Sequence, residues 1–404
     1  MRSISSVELE TTPRGSPGGS EAPTLPGKGS EAPAPTHDHD LIVAPFLGEH
    51  LVLRPGVGSG IKIKGHHYLE LRQTAFDDGP LPEWLTAAAR RRWGLDLVGR
   101  RAGSALLIRE VSPYGHGRAS YEVNAGCNWA CDHCVYGSKR HEGLAWPQRE
   151  LLLRILRDAG VVWVELGGGE CTIDRHFPET YALAYDLGMM VEILTNGSTL
   201  FRPYLLDLLT ARRPYRITLS IYGATEATFD GFTNRRGAFK KFMRGIAAAR
   251  EAELPLSLSV VVTDKNAHEA VAMRTLAEQY ASRVREYTHM SPTFAGGADP
   301  LAQQAPDYLH NRTPFTGCDA GHSSLNVNPF GLASVCKVSR DHPIPLLKEG
   351  VAGLSRLGDI ADRALQRQSG CTGCSLQKSC TTCMPLVKLY RKAGSPLDRY
   401  CQHA

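Results

Sequence analysis

The chain has no apolar run near the roughly 20 residues that a membrane-spanning helix needs. Its first 40 residues also lack the apolar core of a secretory signal. Net charge is small, +5 over 404 residues, so no large basic face for nucleic acid is expected. No membrane and no nucleic-acid partner are therefore anticipated, and the expected location is cytoplasmic. Thiols stay reduced there. The 11 cysteines are then better used as ligands for metal or iron–sulfur groups than as disulfides. At 42% hydrophobic and 22% charged residues the composition is ordinary for a globular protein, and the length allows two or three domains.

The densest chemistry is Cys127-Asn128-Trp129-Ala130-Cys131-Asp132-His133-Cys134. This C-x3-C-x2-C spacing can aim three thiolates at one small cluster. Three thiolates serve three irons of a [4Fe–4S] cube and leave the fourth open to a chelating molecule. Zinc normally asks for four ligands, with a second C-x2-C or H-x3-H close by, and none follows. The remaining reading is a pair of buried thiols with a third to spare.

Residues 1–40 are rich in Pro, Gly, Ser and Glu and cannot bury enough apolar surface to offset their ordering entropy, so a disordered tail is expected. The alternation His37-Asp38-His39-Asp40 reads as part of that solvated tail. Residues 41–105 look like a small module. Leu51–Leu53 and Ile61–Lys64 read as strands, with Tyr68–Leu71 as a third. A helix follows from Pro82, with Gly94 beyond its end. An exposed strand edge there could bind an extended peptide by strand addition. Equally, the module could be an extension that only packs on the main domain.

From residue 120 to about residue 290 strand and helix patterns alternate. The apolar runs 161–166, 190–194, 217–221 and 256–262 read as strands buried on both faces. With Tyr121–Asn124 as the first strand and Arg285–His289 as the last, about six β/α units are expected. Helical stripes lie between them, Leu151, Leu152, Ile155 and Leu156 in one and Phe239, Phe242, Met243 and Ile246 in another. Such alternation implies a parallel sheet, open or partly closed, with chemistry at the C-terminal strand ends. The cysteine loop begins at such an end. So do Gly167-Gly168-Gly169-Glu170, Thr195-Asn196-Gly197, and Ser220 with Tyr222-Gly223, which together read as a ring around one ligand. Cys171 follows as a buried bystander thiol.

Seven cysteines crowd the last part of the chain: Cys318, Cys336, Cys371, Cys374, Cys380, Cys383 and Cys401. A zinc ribbon on Cys371, Cys374, Cys380 and Cys383 would have an unusually short five-residue spacer. It would also leave the other three idle.

The cysteine loop, followed by Gly-Gly-Glu and Thr-Asn-Gly, resembles the radical S-adenosylmethionine (radical SAM) superfamily. Thr233-Asn234-Arg235-Arg236-Gly237-Ala238-Phe239 also resembles it. The seven-cysteine array resembles that family's SPASM extension, within the subgroup that matures ribosomally made peptides. The resemblance runs from about residue 118 to 404. It implies an α/β fold: a partial (β/α)6 TIM-like barrel over 106–300, with a small N-terminal β3α peptide-recognition-like module over 41–105. The C-terminal cysteine-rich SPASM iron–sulfur domain would occupy 301–404.

By the same resemblance Cys127, Cys131 and Cys134 hold the SAM-binding cluster, with His133 in an aromatic position. Gly168, Gly169 and Glu170 meet the SAM amino group, and Asn196 and Ser220 the ribose or carboxylate. Two auxiliary clusters make three [4Fe–4S] clusters in all. One would sit on Cys371, Cys374, Cys380 and Cys401, the other on Cys318, Cys336 and Cys383. The second set is one ligand short, because His310-Asn311-Arg312-Thr313-Pro314 supplies no cysteine, and this implies an open or non-cysteine site. The chain also departs from the family in having two residues, not three, between Cys380 and Cys383.

The implied reaction is hydrogen abstraction by a 5′-deoxyadenosyl radical, fed by an external low-potential electron donor. The implied substrate is a precursor peptide that is crosslinked. The alternative is oxidation of a single residue or small molecule, as in sulfatase-maturing relatives. Those carry a carboxylate directly after an auxiliary-cluster cysteine, where this chain has Lys337 after Cys336.

Overall fold

The computed structural model describes residues 39–137, 140–309 and 313–402. The tail expected over 1–40 lies outside the described residues apart from its last two, and so do residues 310–312.

The first layer comprises β1 (Leu41–Phe46), β2 (Glu49–Leu53), β3 (Gly60–Ile63), α1 (Gly65–Phe76), α2 (Glu83–Trp93), α3 (Ala102–Ala105) and β4 (Leu106–Ile108). The sheet order is β3-β2-β1-β4, with β4 parallel to β1. Four strands and three helices therefore stand where three strands and one helix were expected, and the last strand runs past residue 105. Tyr68–Leu71 is helical, not extended. Tyr68 and Leu71 are buried three residues apart while Leu69 is 60% exposed, which is helical spacing. Pro82 caps α2, and Gly94 ends it at φ 62°.

The two faces of this sheet do different work. Leu41, Val43, Val52 and Ile63 pack against Tyr68, Leu71, Leu85 and Ala89 of α1 and α2. Ile42, Ala44, Phe46, Leu51 and Leu53 pack against Val162, Trp163, Met190 and Tyr215. Alternate residues of β1 thus bury on opposite faces, as the strand period demands.

The main layer follows as β5 (Arg118–Asn124), α4 (Trp146–Asp158), β6 (Trp163–Gly168), α5 (Phe177–Asp186), β7 (Met190–Thr195), α6 (Pro203–Ala211), β8 (Arg216–Ile221), α7 (Glu226–Thr233), α8 (Ala238–Glu251), β9 (Leu256–Val261), α9 (Ala270–Tyr280) and β10 (Arg283–Tyr287). Strands β5 to β10 are parallel neighbours in chain order, a partial barrel with helices outside. In α4 the buried stripe is Leu152, Leu153, Ile155 and Leu156, whereas Leu151 is 46% exposed.

The C-terminal part adds β11 (Ser324–Val327), β12 (Leu332–Ser334), β13 (Ile344–Pro345), α10 (Leu346–Glu349), α11 (Leu357–Leu365) and α12 (Met384–Lys392). Strand β11 pairs parallel with β5 and continues into the β12–β13 meander, so the sheet has nine strands. Among the described residues no helix is long and apolar enough to cross a membrane.

Trp163, Met190 and Tyr215 lie at or just before the starts of β6, β7 and β8. The N-terminal module therefore covers the N-terminal end of the barrel. The cysteine loop leaves β5 at the other end.

Candidate active site

Glycines set the geometry at the C-terminal strand ends. Gly168 has φ +117°, and a Cβ there would lie 2.3 Å from the Asn124 carbonyl; at Gly169 it would lie 2.0 Å from the Gly126 carbonyl. Only glycine lets the end of β6 press this closely on the root of the cysteine loop. The Glu170 amide donates to Gly126 O at 2.8 Å.

The loop is clamped from the far side by the end of α7. The Ala130 amide donates to Thr233 O at 2.9 Å. Asn234, left-handed at φ 49°, donates through Nδ2 to Ala130 O at 2.9 Å and to Asp132 Oδ1 at 2.8 Å. Lys265 Nζ lies 2.5 Å from Asp132 Oδ2. The Thr-Asn step noted in the sequence is thus a structural clamp. Trp129 meets Phe229 edge-on at 5.5 Å, and His133 packs on Tyr222 and Phe232 at 5.1 and 5.0 Å.

Cys127, Cys131 and Cys134 line one cavity of about 370 Å³ with Gly168, Gly169, Asn196 and Ser220. None of the three cysteines is in a disulfide, and all are half-buried. Cys127 Sγ accepts from the Trp129 amide at 3.4 Å and lies 3.9 Å from Asn196 Nδ2. Among the described residues no three His, Cys, Asp or Glu groups converge tightly enough for a single metal ion. Three thiols outside any disulfide around one void, with amide donors already on a sulfur, fit a cluster larger than one ion.

Glu170 departs from expectation. It is 1% exposed and does not line the cavity. Its carboxylate accepts from Thr172 N and Oγ1 at 3.1 and 2.5 Å, Thr195 Oγ1 at 2.6 Å and Asn196 N at 2.5 Å. Burial raises its pKa, against the pull of these four hydrogen bonds. With its oxygens so committed, Glu170 holds the turn that follows β7, while Gly168 and Gly169 line the cavity. Asn196 is drawn into the same framework, because its Nδ2 also donates to Asn128 Oδ1 at 2.8 Å. Cys171 is fully buried, its Sγ against the Leu166 and Leu194 carbonyls. Burial pushes its thiol pKa up, which keeps it inert.

The strands are not apolar on both faces. Alternate residues turn Glu165, Glu192, Arg216, Thr218, Ser257, Ser259, Arg283 and Arg285 into the cavity. Sheet register sets Ser120, Glu165, Glu192 and Arg216 in one row across β5 to β8. Two carboxylates side by side need cations. Arg216 grips Glu192 with two nitrogens at 2.8 and 2.6 Å. Lys337 Nζ lies 2.5 Å from Glu165 Oε1, which also accepts from Ser120 at 2.8 Å. Glu165 is 6% exposed, and its Oε2 is buried without a hydrogen bond. The signal for this wall was in the sequence, as single polar residues at period two inside the apolar runs.

Cys336, Lys337 and Arg340 bring the C-terminal part against the barrel. Arg340 donates to both oxygens of Glu122, at 3.2 and 2.6 Å, and lies over the Phe294 ring. Cys318 and Cys336 each accept a backbone amide, from Ala320 at 3.4 Å and Ser339 at 3.3 Å. Burial is the main influence raising the Cys383 thiol pKa, and the charges of Cys336 and Cys318 add to it, so these three thiols are neighbours. Arg367 donates to Cys380 Sγ at 3.3 Å and Arg391 to Cys371 Sγ at 3.5 Å. The thiols of Cys374 and Cys401 are half-buried nearby in the chain.

Residues 121–277 match the radical SAM superfamily. They form a radical SAM domain. Over 180 residues the chain is 28% identical to an AdoMet-dependent heme synthase of Methanosarcina barkeri, covering 44% of this chain and 51% of that protein. It is 31% identical over 182 residues to the mycofactocin maturase MftC of Mycobacterium tuberculosis, covering 44% and 45%. The chain spans about half the length of the curated relatives it matches. Streptococcus suis SuiB, solved with its precursor peptide SuiA, superposes with a TM-score of 0.57 at 15% identity, covering 90% of this chain and 98% of that one. That likeness extends the shared fold beyond the radical SAM domain to the N-terminal module and the C-terminal cysteine-rich part.

Proposed function

We propose that this protein is a radical SAM/SPASM enzyme that modifies, by crosslinking, a ribosomally made precursor peptide. The observation that carries the reading is the single cavity in which the three loop thiols face Gly168, Gly169, Asn196 and Ser220. With a [4Fe–4S] cube on Cys127, Cys131 and Cys134, SAM bound at the open iron would supply a 5′-deoxyadenosyl radical. The chain's own part is positional. Asn234 and Lys265 fix the loop, the glycines bring β6 against it, and Asn196 spans from β7 to Cys127. The barrel wall and the N-terminal module keep water from the far end of the cavity. Cys318, Cys336 and Cys383 would hold one auxiliary cluster, and Cys371, Cys374, Cys380 and Cys401 the other. The names of MftC and SuiB's peptide complex support a peptide substrate. An external donor would deliver the electron.

Anaerobically reconstituted protein should carry about 12 irons if three cubes are present; a content near four removes the auxiliary clusters. With reductant and SAM it should release 5′-deoxyadenosine. Release that persists in Cys127→Ala overturns the radical reading.

One observation favours the second reading, oxidation of a single residue. Although Lys337 follows Cys336, it pairs with Glu165, whose Oε2 is free of hydrogen bonds in the cavity wall. A carboxylate therefore does stand beside the Cys336 segment. If Glu165→Gln blocks product formation but not 5′-deoxyadenosine release, this reading gains over crosslinking.

A further inference from the structure

The charges on the cavity wall do not balance. Glu192 is taken by Arg216 and Glu165 by Lys337. Two guanidiniums remain, Arg283 and Arg285 on β10, and neither makes a hydrogen bond or ion pair with any described residue through its side chain. The one acid on that strand, Glu286, points to the other face and pairs with Arg274 of α9 at 2.5 Å. Both arginines line the cavity.

Their placement makes a shaped site. Arg283 stands in register with Ser257 and Arg285 with Ser259. On the other side of β9, Ser257 aligns with Thr218 and Ser259 with Ser220. Beside the two arginines, strand β9 turns Ser257 and Ser259 into the cavity, ahead of Val261, and β8 turns Thr218 and Ser220, with Arg216 one cavity-facing position before Thr218. Small hydroxyl residues on β8 and β9 beside the long cationic ones of β10 leave room over β9, with hydroxyls on its floor. Ser257 gives its hydroxyl to Arg283 O at 3.2 Å, and Ser259 faces the cavity. Burial and then the neighbouring charges of Arg216 and Arg285 depress the pKa of Arg283, with Tyr215 and Glu192 acting weakly the other way. Like charges kept together without a counter-ion favour an incoming anion.

We propose that Arg283 and Arg285, over the serines of β9, form a carboxylate-binding subsite that fixes an acidic side chain or C-terminal carboxylate of the substrate in the cavity. This rests on the peptide reading above and narrows it. A guanidinium pair suits a planar carboxylate, which it can engage with parallel hydrogen bonds. The carboxylate of SAM is the other source of the same group. The SAM contacts expected at Gly168, Gly169, Asn196 and Ser220 are on β6 to β8. Strand β10 lies two strands, about 10 Å, beyond β8, which favours the substrate.

The test uses the full reconstituted chain with SAM bound, and glutarate as probe, followed by ligand-observed NMR. Saturable glutarate binding is expected, glutaramide should not compete, and R283Q/R285Q should weaken binding at least tenfold. The double variant should keep its SAM affinity within twofold. R283K/R285K should fall between the two, because it retains the charge and loses the fork. Ser259→Leu, which leaves both arginines and fills the room over β9, should also block glutarate. Iron content and circular dichroism confirm that each variant is folded. Equal binding of glutarate by wild type and double variant, or none by wild type, overturns the subsite. A tenfold loss of SAM affinity in the double variant reassigns the pair to the SAM carboxylate and also overturns it. Because these readings need no turnover, a missing 5′-deoxyadenosine signal would count against the radical reading alone.

Discussion

At the residue scale, the site depends on buried polar groups held in place by hydrogen bonds. Arg149 is the clearest. Its side chain is 2% exposed; it donates to Leu144 O at 2.7 Å and to both oxygens of Asp174, at 2.7 and 2.9 Å. It therefore ties the return of the cysteine loop to the turn that follows Glu170. Removing one partner of a buried pair leaves the other charge uncompensated, at about 3–5 kcal/mol. Arg149→Met should lower stability by that order in urea unfolding. Arg149→Met with Asp174→Leu should recover most of the loss, because both charges then leave together. If the double variant is as unstable as the single one, packing rather than charge sets the role of Arg149.

At the element scale, the fold was read well where periodicity dominates and poorly where one residue in two carries the message. The strands around Val164, Val191, Leu219 and Leu258 stood out as apolar runs, and the cysteine loop lies at a strand end as alternation implied. Glu165 and Glu192 went unread because a lone charge in an apolar run looks like noise until register aligns it with its neighbours. Tyr68–Leu71 misled for the opposite reason: four residues fit both periods, and only packing on Val52 and Leu85 decides. The oxygens of Glu170 are taken by Thr172, Thr195 and Asn196, a detail no motif carries, since it does not say where a carboxylate spends its oxygens.

Connections between elements carry their own prediction. Burial disfavours the charge on Glu269, but hydrogen bonds from Thr225 and Thr228 hydroxyls and the Ala224 and Thr225 amides outweigh it and hold the carboxyl below its ordinary value. His268 Nε2 is 3.9 Å away. A depressed carboxyl adds stability above its unfolded pKa and loses it as pH falls through the folded one. Glu269→Gln should therefore be less stable than wild type at pH 7, by about 1–3 kcal/mol, with the gap closing as pH falls through the depressed titration of the carboxyl. A gap independent of pH would assign the effect to shape. The N-terminal module has a separate core around Leu71 and Leu85. Leu85→Ala should cost that core about 2–5 kcal/mol and weaken peptide binding, while leaving 5′-deoxyadenosine release intact.

For the whole molecule, the arrangement of module and cavity constrains any peptide that uses both. The module's sheet is buried on both faces, so strand β3, paired only with β2, is an edge left for strand addition. The choice between recognition and packing is therefore not exclusive: one face packs on the barrel while an edge stays open. That edge belongs to the layer covering the N-terminal end of the barrel, whereas the thiols lie beyond the C-terminal end. Strands β6 to β9 are six residues each, about 20 Å at 3.3 Å per residue. An extended peptide also spans at most about 3.3–3.6 Å per residue, so at least about six residues must separate the bound segment from the modified one. A path around the outside of the barrel asks for more. Precursor variants with this spacer cut to two residues should bind with unchanged affinity by fluorescence anisotropy, yet show no mass change after incubation with reductant and SAM. Modification surviving that deletion would mean that the edge of β3 does not hold the peptide during the reaction, and that the cavity recognises its substrate unaided.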